Sequence, residues 1–372
     1  MSRKIYFDNN ASTLLDPEVS RALIEEIHAV DGNPSSVHAF GREVRNRVTK
    51  ARRTIARILG VNSQEIIFTS GGTEAVNMAI RGILGKNPQG HVITSNVEHS
   101  CVSETLRDLE SEELQVSFLP VGLYGAVIVE AVEAVITPRT RLLVLMAVNN
   151  ETGAKNDIPA IAALASRHKI PFIVDGVAQL GKELFTIPEG VTAYCFSGHK
   201  IHAPKGIGLL YLKRGTSFHP LLLGGGQEHE KRGGTENTLG IIALARAFER
   251  IEEELPLAAQ KMLLLRQRLE EGIKEKVPDC VIHATAPRIC NTVNISFPGV
   301  DGESLLMNLD LVGVAVSHGS ACSSGALEPS RILLNMGIPK KIAATSIRFS
   351  LSRMTTEEEI EETIALIAEL TQ

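Results

Sequence analysis

Between about residue 60 and residue 215 the chain repeats one pattern, a short apolar run followed by a stretch with helical spacing. The runs are Ile66-Ile67-Phe68, His91-Val92-Ile93-Thr94, Leu142 to Val148, Phe172-Ile173-Val174, Tyr194-Cys195-Phe196 and Gly208 to Leu212. Their hydrophobicity is near-continuous rather than alternating, which marks strands buried on both faces. Such strands separated by helices predict an α/β fold, a mostly parallel sheet wrapped by helices. Ligands in these sheets collect at the carboxyl ends of the strands. Asn149-Asn150, Asp175 and the segment 197–200 all follow apolar runs, so they are expected to converge there.

The remaining sequence sets the organisation. A chain of 372 residues is long enough for two domains. Arg42 to Arg57 carries Val44, Val48, Ala51 and Ile55 at three- and four-residue steps, an amphipathic helix with its arginines in water and Gly60 at its end. Another helix begins near Asn237 and meets Pro256, where it is expected to break or kink. Beyond lies an α+β pattern, with strands around 293–297 and 347–351. A last helix follows, capped by Thr356 and Glu359, with Ile360, Ile364 and Ile367 on one face. The boundary is placed near 256: a large domain of residues 14–256, and a smaller one from 1–13 with 257–372.

No apolar run approaches the length of a membrane span, and the charged N-terminus lacks the apolar segment of a signal peptide. A cytoplasmic protein is therefore expected. A net charge of −5 argues against nucleic acid as a partner. Five cysteines without zinc spacing predict free thiols. Cys195 reads as a small core residue, and Cys101, Cys280 and Cys290 have no chemical context in the sequence. Cys322 differs, because Gly319 to Gly325 around it are small and polar.

A lysine just past a buried strand, here Lys200, is where a pyridoxal phosphate enzyme keeps its Schiff-base amine. Asp175 is either a helix cap or a partner for a protonated pyridine nitrogen. Ser70-Gly71-Gly72-Thr73 opens a helix, where free N–H groups attract phosphate, although the same residues also make an ordinary turn. His199 and His202 lack a third ligand nearby, so no metal site is expected.

Nine segments in order resemble the cysteine desulfurases, fold type I pyridoxal phosphate enzymes related to class V aminotransferases. They are Phe7 to Thr13, Gly32 to Ser36, Thr69 to Glu74, Glu98-His99, Asn149 to Gly153, Ser197 to Lys200, Arg232 to Thr235, Gly319 to Cys322 and Ile347 to Ser350. The run from Ser323 to Ser330 resembles the branch with the longer cysteine loop.

The resemblance implies that Lys200 carries pyridoxal 5'-phosphate and shuttles the α-carbon proton. Asp175 would face the pyridine nitrogen, and His99 would stack on the ring and assist proton transfer as a catalytic residue. Gly72, Thr73, Ser197 and His199 would bind the phosphate, joined by Thr235 from the other subunit of a homodimer. Asn150 and Arg348 would hold the carboxylate of L-cysteine, and Cys322 would take its sulfur as a persulfide, releasing alanine. A sulfur acceptor, such as an iron–sulfur scaffold or a tRNA-thiolation relay, would then receive it. Where the family has Gln three residues after the Asp, this chain has Ala178, with Gln179 next. Either Gln179 substitutes at the cofactor, or the contact is missing at a cost of about 1.5–3 kcal/mol. Other readings keep the cofactor: a selenocysteine lyase, or a binding scaffold with reduced catalysis.

Overall fold

The computed structural model describes residues 4–29, 32–318 and 328–372. Strand β1 (Ile5–Tyr6) leads into helices α1 (Pro17–His28) and α2 (Ala39–Leu59). The central sheet then uses β2 (Ile66–Thr69), β3 (Gly90–Ser95), β4 (Leu114–Leu119), β5 (Thr140–Met146), β6 (Phe172–Asp175), β7 (Ala193–Ser197) and β8 (Gly208–Leu212), in the order β2-β8-β7-β6-β5-β3-β4. All neighbours run parallel except β8, which is antiparallel to both β2 and β7. The sheet is thus mostly parallel, and β2, β3, β5, β6 and β7 end at the same edge.

The apolar runs are continuous because each strand feeds two cores. Ile173 and Val144 face the cluster that includes helices α3 (Gly72–Leu84) and α4 (Ser100–Leu109). Val174, Leu145 and Phe196 face the opposite cluster, built with α2 and the long helix Thr238–Lys276. Strand β4 escapes a sequence search because it lies at the sheet's edge, where Gln115 is exposed and Ser117 half-buried.

A separate apolar cluster joins Ile5 and Phe7 to Leu265, Leu269 and residues as far as Ile367. It packs on β9 (Val281–Ile282), β10 (Thr292–Ser296) and β12 (Ser346–Ser350), while β11 (Val314–Ala315) pairs parallel with β1. Thr356 and Glu359 form the expected capping box at the start of the last helix, Glu357–Leu370. Pro256 corrects one half of an expectation, the break. The helix continues through it from Thr238 to Lys276. Buried Leu255, Ala258 and Met262 hold the helix against its neighbours on both sides of the proline, and that packing outweighs one lost backbone hydrogen bond.

Candidate active site

The carboxyl-end edge of the sheet opens into a cavity of roughly 250 Å³. Each strand delivers its residues by ending there. Thr69 of β2 is followed by Gly72 and Thr73 at the first turn of α3, and β3 leads to His99, the N-cap of α4. Strand β5 leads to Asn150, β6 ends at Asp175, and β7 ends at Ser197, ahead of the short turn Gly198–Lys200. Arg348 enters from β12. Gly72, Thr73, His99, Asn150, Asp175, Ser197, Lys200 and Arg348 line the cavity, as does His199.

Charge is arranged along the cavity. At one side stand the α3 N-terminus and Ser197, whose buried hydroxyl has no hydrogen-bond partner among the described residues. His199 is held neutral there, since burial and then Lys200 and Lys205 drive its pKa down to about 4. A helix start with an unpartnered hydroxyl is a site for an anion. At the sheet edge Asp175 is buried, and among the described residues its carboxylate accepts one hydrogen bond, from the Val177 N–H at 3.0 Å. Burial pushes its carboxyl above the ordinary range, while His99 and Lys200 pull it back. A buried carboxylate with one partner is suited to a cation.

Lys200 reaches across to the turn after β1. Its Nζ donates to the carbonyl oxygens of Asn10 and, at 2.9 Å, Ala11. A second lysine, Lys182, lines the same cavity and donates to the Lys200 carbonyl at 2.8 Å; burial lowers its pKa to about 8. Beneath His99, Glu98 is fully buried between the Ser95 hydroxyl and the Met146 N–H, and burial raises its pKa to about 8.

Arg348 is 1 % exposed. Its Nη2 donates to Asp8 at 2.7 Å and its Nη1 to the Asn150 carbonyl at 3.1 Å, while its Nε has no partner among the described residues. Its backbone pairs with Ser317, and Glu151 accepts the Ser330 hydroxyl. Arg348 and the neighbour of Asn150 therefore anchor both flanks of the segment that carries Cys322. Cys322 itself lies outside the described residues.

Gln179 is engaged elsewhere. Its Oε1 accepts from the Tyr194 hydroxyl and its Nε2 donates to Glu183 at 2.9 Å, whereas Ala178 lines the cavity. The turn closes from Gly176 to Leu180 with helix-like bonds, so successive side chains point about 100° apart. Gln179 is thus drawn to the Tyr194 side and is not among the residues lining the cavity. Thr235 is exposed and does not line this cavity.

Sequence reasoning missed Asn10, Lys182 and Cys101 at the site. For Cys101 the available signal was its position two residues after His99 at a helix start. For Lys182 a turn of the chain after Asp175 hid the proximity.

These residues fit pyridoxal phosphate. The unpartnered Ser197 hydroxyl beside the α3 N-terminus suits the phosphate, Asp175 suits a protonated ring nitrogen, and Lys200 lines the same cavity. The aminotransferase class-V family matches residues 5–363. A cysteine desulfurase of Trichormus azollae is 42% identical over 371 residues, 99% of this chain and 93% of that protein. Among solved structures, a NifS-like protein superposes with a TM-score of 0.91 at 34% identity, covering 99% of both chains. SspA in complex with cysteine superposes at 0.84 with 32% identity, covering 95% of this chain and 100% of that one. The chain belongs to the aminotransferase class-V family and, within it, to the pyridoxal phosphate-dependent cysteine desulfurases.

Proposed function

We propose that this protein removes sulfur from L-cysteine, leaving L-alanine and a persulfide on Cys322 that is passed to an acceptor protein. The observation that carries the reading is the meeting of Lys200, Asp175, His99, Asn150 and Arg348 in one cavity. Lys200 would hold the cofactor, Asp175 its ring nitrogen, and Gly72, Thr73, Ser197 and His199 its phosphate. Bound there, pyridoxal phosphate supplies an electron sink for the charge left when the substrate's α-carbon loses its proton.

The protein's own groups do the rest. Arg348 presents its free Nε–H to the substrate carboxylate, beside Asn150, and orients the amino acid. The Lys200 amine takes the α-carbon proton and later returns it. The Cys322 thiolate attacks the substrate sulfur; the carbon–sulfur bond breaks and its electron pair stays with carbon, which gains a proton. Sulfur remains on Cys322 as the persulfide. Chain length supports this assignment: Cys322 is five residues from Ser317, a tether of at most about 17 Å from a residue paired with Arg348.

The reading extends to a homodimer whose other subunit supplies Thr235, and to an iron–sulfur scaffold or a tRNA-thiolation relay as acceptor. A cytoplasmic setting is supported by the free thiols of Cys195, Cys280 and Cys290. No helix among the described residues is long and apolar enough to cross a membrane. The division into 14–256 and 1–13 with 257–372 is supported by the cluster that unites Ile5 and Phe7 with Leu265 to Ile367. Two features complicate it: residue 256 lies inside a helix, and Ile332, Leu333 and Ala343 pack with the sheet's core.

The test is alanine formation from L-cysteine and a reductant by the cofactor-loaded protein, with Cys322→Ala as control. Alanine from the wild type alone is expected. Equal alanine from both would remove Cys322 from the reaction.

A further inference from the structure

Cys101 was one of three cysteines without a context in the sequence, yet it lines the cavity and touches His99. Nδ1 of His99 accepts the Cys101 backbone N–H at 3.1 Å, and the same nitrogen lies 3.0 Å from the Cys101 sulfur. A neutral imidazole has one donor and one acceptor nitrogen. The first turn of α4 commits Nδ1 as the acceptor, so hydrogen-bond geometry assigns the ring proton to Nε2. The thiol, a weak donor, adds its hydrogen on the same side.

Protonating Nδ1 would set a new N–H against the Cys101 N–H and turn the thiol from donor to acceptor. The positive end of α4 opposes it as well. Of the charged groups facing the ring, Asp175 favours a cation, while Lys200 and Arg331 oppose one. Burial opposes it most, and the pKa of His99 falls below its ordinary value. A helix start that keeps a histidine neutral, so that it serves as a hydrogen-bond donor, is a known catalytic device.

We propose that His99 works as a neutral donor through Nε2, and that Cys101 is the positioning residue that keeps it so. Nε2 then has no free lone pair with which to take a proton. His99 lends a hydrogen bond inside the cavity, and the α-carbon proton is left to the Lys200 amine. This last step rests on the desulfurase reading; the state of the ring does not.

The experiment therefore uses ¹⁵N-histidine-labelled protein without cofactor or cysteine, titrated by NMR. The His99 signals are those absent from His99→Gln. The wild type should show the Nε2–H pattern and a midpoint below 6.5. Cys101→Ala keeps the backbone N–H but loses the thiol, so its midpoint should rise by up to about one pH unit, the worth of one neutral hydrogen bond. Cys101→Ser restores a donor and should return the midpoint towards the wild type. A proton on Nδ1, or a wild-type midpoint at or above 6.5, overturns the neutral donor. An unmoved midpoint in Cys101→Ala overturns the part given to Cys101. Absence of alanine formation with this NMR pattern intact would sink the desulfurase reading alone.

Discussion

At the scale of single residues, buried charge dominates. Arg348 spends two donors on Asp8 and the Asn150 carbonyl, and its Nε has no partner among the described residues. Lysine keeps the charge but loses the planar fork. Arg348→Lys should raise KM for cysteine about ten- to a hundredfold, the worth of one charge-assisted hydrogen bond. Steady-state kinetics showing an unchanged KM would remove Arg348 from substrate binding. Glu98 carries a pH dependence. Its carboxyl ionises near 4.5 ordinarily and near 8 when buried in the fold. Between those values the folded protein holds a proton that the unfolded chain has released, so stability falls as pH rises. The slope is roughly 1.4 kcal/mol per pH unit for a buried group. Urea unfolding should show the wild type losing stability relative to Glu98→Gln from pH 5 to pH 8. A constant difference would mean that Glu98 is already ionised.

At the scale of elements, context overrides local preference. Pro256 is exposed within a 39-residue helix and offers no N–H to the Glu252 carbonyl. Ion pairs along the same helix, Arg246 with Glu249 and Glu253, and Arg250 with Glu253 and Glu254, bridge the preceding turns. Pro256→Ala restores the missing donor and removes the ring's clash with that carbonyl. It should stabilise the protein by about 1–3 kcal/mol in denaturant unfolding. A loss of stability would show that the local backbone depends on the proline. The capping box at Thr356 was legible because both of its hydrogen bonds lie within four residues. The continuity of the long helix was not, because it is decided by α1, α2 and the last helix packed along it.

For the whole molecule, period and spacing carried the central sheet. A strand buried on both faces must be apolar at nearly every position, and that signal is local. The same runs named the strand ends, so the sequence alone assigns Asp175, Asn150 and Lys200 to one edge. The resemblance supplied their roles. Side-chain direction was beyond reach, since one residue's difference along a helical turn separates Ala178 at the cavity from Gln179 beside Tyr194. Contacts between distant segments were equally hidden: Lys200 on the Asn10 and Ala11 carbonyls, Lys182 on the Lys200 carbonyl, Asp8 on Arg348. Burial and periodicity are written residue by residue along a chain, and the sequence by itself determined most of the sheet and the edge where its strands end. Which donor meets which acceptor depends on how those elements pack, and only the tertiary structure decided that.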